Sequence, residues 1–152
     1  MSKPVSINRS QPFDPEKFLG EGWKIAEQDE RSLALDEIDL TKIQFETCLK
    51  PNESRITGEE KLKRLKKDGH IRLDAKIFQT LWENQHLIPE KWKEKINNNI
   101  CFIFFDGTVL QGPGGDRNVL FLYWHDGGWH WDYSWLERAW HIDDPSAVLA
   151  SI

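Results

Sequence analysis

The sequence predicts one α+β domain, in which a helical N-terminal half packs on a C-terminal antiparallel β-meander. Residues 59–67 and 74–88 carry apolar side chains at helical spacing, whereas residues 100–135 form apolar runs separated by glycine-rich turns. Helices followed by strands, without βαβ alternation, are typical of an α+β fold. A chain of 152 residues suits one domain with one core.

The N-terminal part predicts an arm and a small aromatic cap. Residues 1–12, rich in Pro, Ser and Asn, predict a flexible arm, and residues 13–152 the domain itself. Phe13, Phe18, Leu19 and Trp23 would cap the core. Around Ile43 and Phe45 the alternation favours a strand, while an acidic helix over 36–49 remains an alternative.

Two helices follow. In the first, over 59–67, glutamates come early and lysines late, as the helix dipole favours. Its basic run is interpreted as a solvated face, with a nucleic-acid patch as the alternative. In the second, Asp74 is the expected N-cap of a helix that stops before Pro89 and carries one apolar stripe of Ile77, Phe78, Leu81 and Trp82.

The β end is predicted as strands at 100–110, 118–124 and 129–135, with Asp126–Gly127 as a hairpin turn. Because strand side chains alternate with period two, such a hairpin has two separable faces. The first face would be apolar core, backed by the 74–88 helix, and carries Leu120, Leu122, Trp124, Trp129, Trp131 and Tyr133. The second mixes rings with polar groups, as a contact surface does, and carries Phe121, Tyr123, His125, His130, Asp132 and Ser134. Four of the five tryptophans in 118–140 are therefore predicted as frame, with Trp140 unplaced.

Composition and charge restrict the classes of partner that we expect. Hydrophobic residues are 39% and charged residues 30% of the chain, which is ordinary for a globular protein. No apolar run reaches the ~18 residues of a membrane span, and the N-terminus lacks a signal-peptide core, so a cytoplasmic location is the default expectation. Residues 101–152 hold two basic and seven acidic side chains, and thus the whole net charge of −5. Nucleic acid is therefore an unfavoured partner.

No constellation indicates catalysis or a metal. Cys48 and Cys101 are predicted to be buried reduced thiols, without the spacing of a zinc site. Histidines 125, 130 and 141 and aspartates 126, 132, 143 and 144 match no standard ligand spacing. Ser134 and Ser146 lie in no nucleophile motif, and QGPGGD lacks the lysine of a phosphate loop. The chain is predicted to be non-enzymatic, with no cofactor and no metal.

Several segments carry a resemblance: DERSLALDEIDL, GEEKLKRLKKDGHIRLDAKIFQTLWENQHLIPEKWKEK, FIFFDGTVL, and LYWxxGxWxWxYxWLxxxW followed by PSAVLAS. They resemble an uncharacterised bacterial family whose near-identical copies differ mostly in a hypervariable, Trp-rich C-terminal segment. Such copies are similar to the variable (target) proteins of diversity-generating retroelements. In those systems an error-prone reverse transcriptase rewrites adenine-containing codons of a ligand-binding region.

The resemblance implies a variable binding segment at about 117–144. The positions of this segment that look variable within the hairpin lie on the second face. The alternation of side chains along the strands predicts, by itself, that this face is the contact surface. The predicted ligand-binding residues are Phe121, Tyr123, His125, His130, Asp132, Ser134, Glu137, Arg138, Ala139, His141, Ile142, Asp143 and Asp144. Variable proteins of this type commonly use a C-type-lectin-like fold, whose closing strand pattern is not found here.

The resulting hypothesis is a ligand-binding protein with a diversifiable face on a Trp-framed hairpin. Its partner would be a protein or peptide, with a glycan as another option. Two alternatives stay open: a carbohydrate-binding or hydrolytic module with aromatic platforms, and a nucleic-acid-binding regulator that uses the basic 61–67 helix.

Overall fold

The computed structural model describes residues 4–150, and its helices and strands alternate along the chain. The α-helices are α1 (Pro15–Leu19), α2 (Glu30–Leu33), α3 (Gly58–Asp68) and α4 (Ala75–Glu83). Single 3₁₀ turns lie at Leu40–Lys42, Gln85–Leu87 and Glu90–Lys93. The strands are β1 (Val5–Ser6), β2 (Lys24–Gln28), β3 (Glu37–Ile38), β4 (Gln44–Glu46), β5 (Ile56–Thr57), β6 (Ile71–Arg72), β7 (Ile103–Phe104), β8 (Thr108–Gln111), β9 (Arg117–His125), β10 (Gly128–Trp135), β11 (Ala139–Trp140) and β12 (Ser146–Leu149).

The main sheet has eight strands, and β9 is its long central member. The strand order is β2-β8-β9-β7-β12-β4, with β10 also paired to β9 and β6 also paired to β12. All of these pairs are antiparallel except β7 with β12. Helices combined with a mainly antiparallel sheet agree with the α+β prediction.

A helical N-terminal half is not confirmed. Six of the strands, β1 to β6, precede α4, and β2, β4 and β6 join the main sheet through β8 and β12. Most of them are two residues long and pair with segments far away in sequence, so local periodicity could not indicate them. The predicted strand around Phe45 is present as β4.

Residues 4–12 do not form a free arm. Val5 and Ile7 are buried, and β1 pairs with β3. The Arg9 guanidinium forms two hydrogen bonds, of 3.0 and 2.9 Å, with the buried carboxylate of Asp74. The prediction of an arm that joins the fold near Phe13 is therefore corrected from Val5 onward, while its residues 1–3 lie outside the described residues.

Helix α4 backs the sheet as expected. Asp74 caps it, accepting hydrogen bonds from the backbone N–H groups of Lys76 and Ile77, and the helix ends at Glu83, before Pro89. Ile77, Phe78 and Leu81 are fully buried. The Phe78 ring meets Trp131 of the hairpin edge to face at 6.2 Å.

The predicted strand over 100–110 is broken in two. Between β7 and β8, Phe105 donates to the Leu120 carbonyl, while Gly107 donates to the Leu73 carbonyl and accepts from Asp29. A Cβ on Gly107 would lie 2.2 Å from the Arg72 carbonyl oxygen, so only glycine fits this crossing. Together β8, β9 and β10 still form a three-stranded antiparallel meander.

A second helix packs on the opposite face of the sheet. Leu62 of α3 joins a smaller cluster that includes Val119, Leu136 and Trp140. The start of α3 lies so close that a Cβ on Gly58 would lie 2.9 Å from Leu136 and from Trp140. The sheet is therefore covered by α4 on one face and, over part of its area, by α3 on the other. Within residues 4–150, no helix combines the length and apolar character needed to cross a membrane.

Candidate functional site

The β9–β10 hairpin has the register that its turn residues predicted. Trp124 lies opposite Trp129, Leu122 opposite Trp131, and Leu120 opposite Tyr133. Asp126 (φ 53°) and Gly127 (φ 78°) both adopt positive φ, as a two-residue type I′ turn requires. The predicted separation of side chains into two faces therefore holds along the hairpin.

The first face is core over most of its length. Leu120 and Leu122 are at most 1% exposed, and Trp129 is buried. Trp131 packs on Phe18 at 4.6 Å between ring centroids, and Trp124 lies against Trp129 at 5.4 Å. Trp124 and Trp131 are half-buried, and both pack against the main core. These residues form the frame, as predicted.

The far end of the first face departs from the prediction. Tyr133 is 39% and Trp135 44% exposed, because the N-terminal aromatic residues reach this end only through Trp23, which meets Tyr133 at 4.8 Å. Trp140, unplaced from the sequence, is 2% exposed and stacks on Phe104 at 4.0 Å beneath α3. Trp135 is thus not part of the buried frame, and Trp140 is.

The second face carries a continuous series of aromatic contacts from the interior to the surface. Phe104 meets Phe121 at 4.8 Å, and Phe121 meets Tyr123 at 5.8 Å. Tyr123 stacks on His130 at 5.3 Å with an interplanar angle of 25°. The His130 Nε2 atom lies 3.1 Å from the His125 carbonyl oxygen, which fixes that ring. The outer part of the face is therefore ordered as well as accessible.

Burial divides the predicted contact residues on this face. His125, His130 and Asp132 are exposed, Tyr123 is half-buried, and Ser134 lies half-buried opposite Val119. Phe121 packs against the smaller cluster, between Phe102 and Phe104. The Phe121 side chain therefore belongs partly to the buried frame and partly to the surface. The alternation of side chains along the strand could not distinguish this position from a fully exposed contact residue.

The loop over 141–144 lies beside the hairpin face. Phe102 joins the two, because its N–H donates to the Asp143 carbonyl at 2.8 Å while its ring meets Tyr123 at 5.2 Å. We call the surface made by Tyr123, His125, His130, Asp132 and the loop 141–144 the open surface. Sequence reasoning did not identify Phe102, although its spacing of two from Phe104 placed it on the same face.

Three predicted contact positions lie apart from the open surface. The Arg138 guanidinium lies over the ring of Trp135 at 5.4 Å, toward the first face. Ala139 pairs with Thr57 in the small β5–β11 sheet, and Glu137 is exposed next to it. The structure therefore brings the hairpin residues together with 141–144, but not with 137–139.

A buried lysine supports the loop from below. Lys61 of α3 is 1% exposed, and its ammonium donates to the Asp144 carbonyl at 2.5 Å. Burial lowers the pKa of Lys61 below its ordinary 10.5, an effect opposed by the negative charge of Asp106. Asp106 is itself fully buried, and its carboxylate oxygens have no hydrogen-bond partner among the described residues.

The acidic groups of the loop are close to one another. The His141 N–H donates to Asp144 Oδ2 at 2.8 Å, and burial raises the pKa of the Asp144 carboxyl above its ordinary 3.8. One ligand atom from each of His141, Asp143 and Asp144 lies within 4.8 Å of the others. Acidic groups often meet this way without a metal, and we assign none.

Helix α3 does not present its basic residues as one cationic surface. Lys61 is buried, Arg64 pairs with Glu53 at 2.6 Å, and Lys66 pairs with Glu27 at 2.7 Å. The prediction of a fully solvated basic face is wrong at Lys61. Lys61 lies three residues after Gly58 and four before Leu65, both buried, which is the spacing of a single helical stripe.

Comparisons with known proteins add no match: no family model, curated protein or solved structure matches this chain. The function is therefore argued from the open surface and the frame that holds it.

Proposed function

We propose that this protein is a non-enzymatic ligand-binding protein whose recognition site is the open surface, and that the residues of this surface are diversified as in the variable proteins of diversity-generating retroelements. The observation that carries the proposal is the division of the hairpin into two residue sets by alternation. On the second face, His125, His130 and Asp132 are exposed. On the first face, at the alternate positions, Leu120, Leu122 and Trp129 are buried. Exposed positions can change without altering core packing.

Rigidity is the second support. Helix α4 packs on one face of the sheet and α3 on part of the other, and Lys61 holds the loop through the Asp144 carbonyl. A surface ordered before binding loses less entropy when the ligand arrives. A fixed frame also lets many side-chain combinations occupy the same backbone positions.

The test is genetic. The coding sequence for 117–144 should have a near-repeat close to the gene, together with a reverse transcriptase gene. Mismatches between the two copies should fall at adenines of the template and in codons for exposed positions such as 125, 130, 132, 141 and 142. Mismatches in codons for Leu122 or Trp129, or the lack of any repeat, would contradict diversification of this surface.

Binding is tested separately by randomising surface codons. In a displayed library with positions 123, 125, 130, 132 and 142 randomised, most clones should stay folded, and binders to unrelated proteins should be recoverable. A matched library randomised at 120, 122, 129, 131 and 140 should lose folded clones. Equal folded fractions in the two libraries would contradict the division into surface and frame.

A further inference from the structure

Strand β10 is an edge of the main sheet. It pairs with β9 and with no other strand among residues 4–150. In a hairpin with a two-residue turn, alternate residues direct their backbone N–H and C=O groups to the neighbouring strand, and the others direct them outward. Gly128 lies opposite His125 at the turn, and beyond the strand the Leu136 N–H donates to the Arg117 carbonyl. Even-numbered residues of β10 therefore face β9, and odd-numbered residues face the outer side.

The outward backbone groups are free along the middle of β10. In the part of the chain that the structure describes, those of Trp129 and Trp131 have no hydrogen-bond partner. The Tyr133 N–H donates to Oδ1 of Asp132, the preceding residue, at 2.7 Å. The free edge therefore runs from Trp129 to Tyr133, and one side-chain hydrogen bond occupies its end.

The strands at the two ends of the strand order, β2 and β4, carry features that discourage pairing with another chain. β4 has three residues. β2 has an irregular register between Ile25 and Glu27, and Glu27 pairs with Lys66 at 2.7 Å. Short length, bulges and charged side chains are the usual means of protecting an edge strand. β10 has eight residues, a continuous register with β9, and no proline or lysine, so it lacks these protections.

A second copy of this chain fits the free edge in one antiparallel register. Because outward-facing residues must lie opposite each other, a two-fold axis between the copies passes through a residue of β10. With the axis at Trp131, His130 of each copy lies opposite Asp132 of the other, and Trp129 lies opposite Tyr133. An axis at His130 would pair two histidines, and one at Asp132 would pair two carboxylates. Only the axis at Trp131 places the histidine opposite the aspartate.

The His130 ring is ordered for this contact. It stacks on Tyr123 of β9 at 5.3 Å, and its Nε2 lies 3.1 Å from the His125 carbonyl oxygen. Since a carbonyl oxygen only accepts, Nε2 carries a proton, and the charged ring also donates from Nδ1. Strand pairing would give the Tyr133 N–H a backbone acceptor and release Asp132 for that donor. Opposite charges that face each other on antiparallel strands stabilise the pair.

We infer that two copies of this chain associate through their β10 edges, as an antiparallel strand pair with its two-fold axis at Trp131 and two reciprocal His130–Asp132 contacts. The inference goes beyond the proposed function and does not depend on it, because it requires no other ligand. The axis is perpendicular to the sheet, so the second faces of the two copies lie on the same side. The two open surfaces would then form one continuous surface.

The test is sedimentation velocity of the full-length chain over a concentration series, in roughly 0.15 M salt to screen the net charge of the copies. We expect a reversible dimer with a Kd on the order of 10 μM. His130→Asp places carboxylates opposite each other at both contacts and should raise the Kd at least about tenfold. His125→Asp makes the same change at an exposed histidine outside the shared edge, and its Kd should stay within about twofold of the parent value.

Mixing two variants tests the register itself. Asp132→Lys alone should also raise the Kd, because it places a lysine opposite a histidine. An equimolar mixture of the His130→Asp and Asp132→Lys chains should form heterodimers, because each contact then joins a carboxylate to a cation. Circular dichroism of each variant checks its fold, since the substituted side chains are exposed.

Three results would overturn the inference and leave the proposed function standing. The first is a parent chain that stays monomeric up to about 1 mM. The second is a dimer whose Kd does not change with His130→Asp, which would place the interface on another surface. The third is a mixture of the two variants that forms no heterodimer.

Discussion

The ammonium of Lys61 lies 2.5 Å from the carbonyl oxygen of Asp144, so that a helix residue holds a loop 83 positions later in the chain. The same ammonium lies over the rings of Trp140 at 5.0 Å and Phe104 at 5.8 Å. It therefore joins α3, the inner aromatic residues and the open surface. The negative charge of the buried Asp106 raises the pKa of Lys61, against the lowering by burial.

Replacing Lys61 with Met should destabilise the protein and loosen the loop. The substitution leaves the Asp144 carbonyl without its donor, a change that should cost about 2 kcal/mol of unfolding free energy, and it removes the electrostatic attraction between Lys61 and the buried Asp106. Denaturant unfolding measures the loss, and amide exchange over 141–144 measures the loosening. Adding Asp106→Asn should restore part of the stability. Lys63→Met, an exposed position on the same helix, is the control, and an equal loss there would contradict the assignment.

Trp131 and Trp135 should respond differently to truncation. Trp131→Ala removes a ring packed on Phe18 and Phe78 and should lower the unfolding free energy by about 3 kcal/mol. Trp135→Ala removes a ring that is 44% exposed, and should cost about 0.5 kcal/mol. Urea titration of the two variants compares them directly. Equal losses would show that the covered end of the hairpin has been misidentified.

Arg9 should be as important as a core residue, although it lies in a segment that the sequence predicted to be an arm. Its guanidinium donates to the Asp74 carboxylate and to the Ser32 and Leu35 carbonyls, and Asp74 also caps α4. Arg9→Met should therefore cost about 3 kcal/mol, because it leaves a buried carboxylate without its cation. Arg55→Met, at an exposed arginine, should be nearly neutral. Thermal unfolding of both variants checks this, and a neutral Arg9→Met would contradict it.

The two thiols should resist alkylation until high pH. Burial raises the pKa of Cys48 to about 11 and that of Cys101 to about 12, from an ordinary 9.0. Since the folded-state pKa values exceed the unfolded one, their contribution to stability is complete below pH 9 and is lost as pH rises through 11 to 12. Iodoacetamide labelling followed by mass spectrometry should show slow modification of the native chain at pH 8 and fast modification in urea. Equal rates would contradict the burial of Cys101 and the half-burial of Cys48.

The hairpin could be predicted from the sequence because its determinants are local. Asp126–Gly127 specifies a tight turn, and alternation along Leu120 to Trp131 then assigns each side chain to a face. Asp74 likewise indicated the start of α4 from its own segment. Each of these features depends on residues that lie close together in the sequence.

The rest of the site depends on contacts between distant segments. The burial of Trp140 requires α3 to pack on the second face through Gly58 and Leu62, which no local pattern indicates. Trp135 is exposed because α4 and the N-terminal aromatic residues do not extend over that end of the hairpin. Short strands such as β1 and β6 exist only through their partners β3 and β12. Sequence periodicity therefore assigned each hairpin side chain to the first or the second face. Tertiary packing determined which part of the second face stays exposed.

The most direct test of the central claim is the stability of a chain in which His125, His130 and Asp132 are replaced together by Ala, Ala and Ser. All three side chains are exposed, so the melting temperature should stay within a few degrees of the parent value while binding of ligands selected on the parent surface is lost. A fall in melting temperature as large as that of Trp131→Ala would contradict the account, because it would mean that these residues belong to the frame.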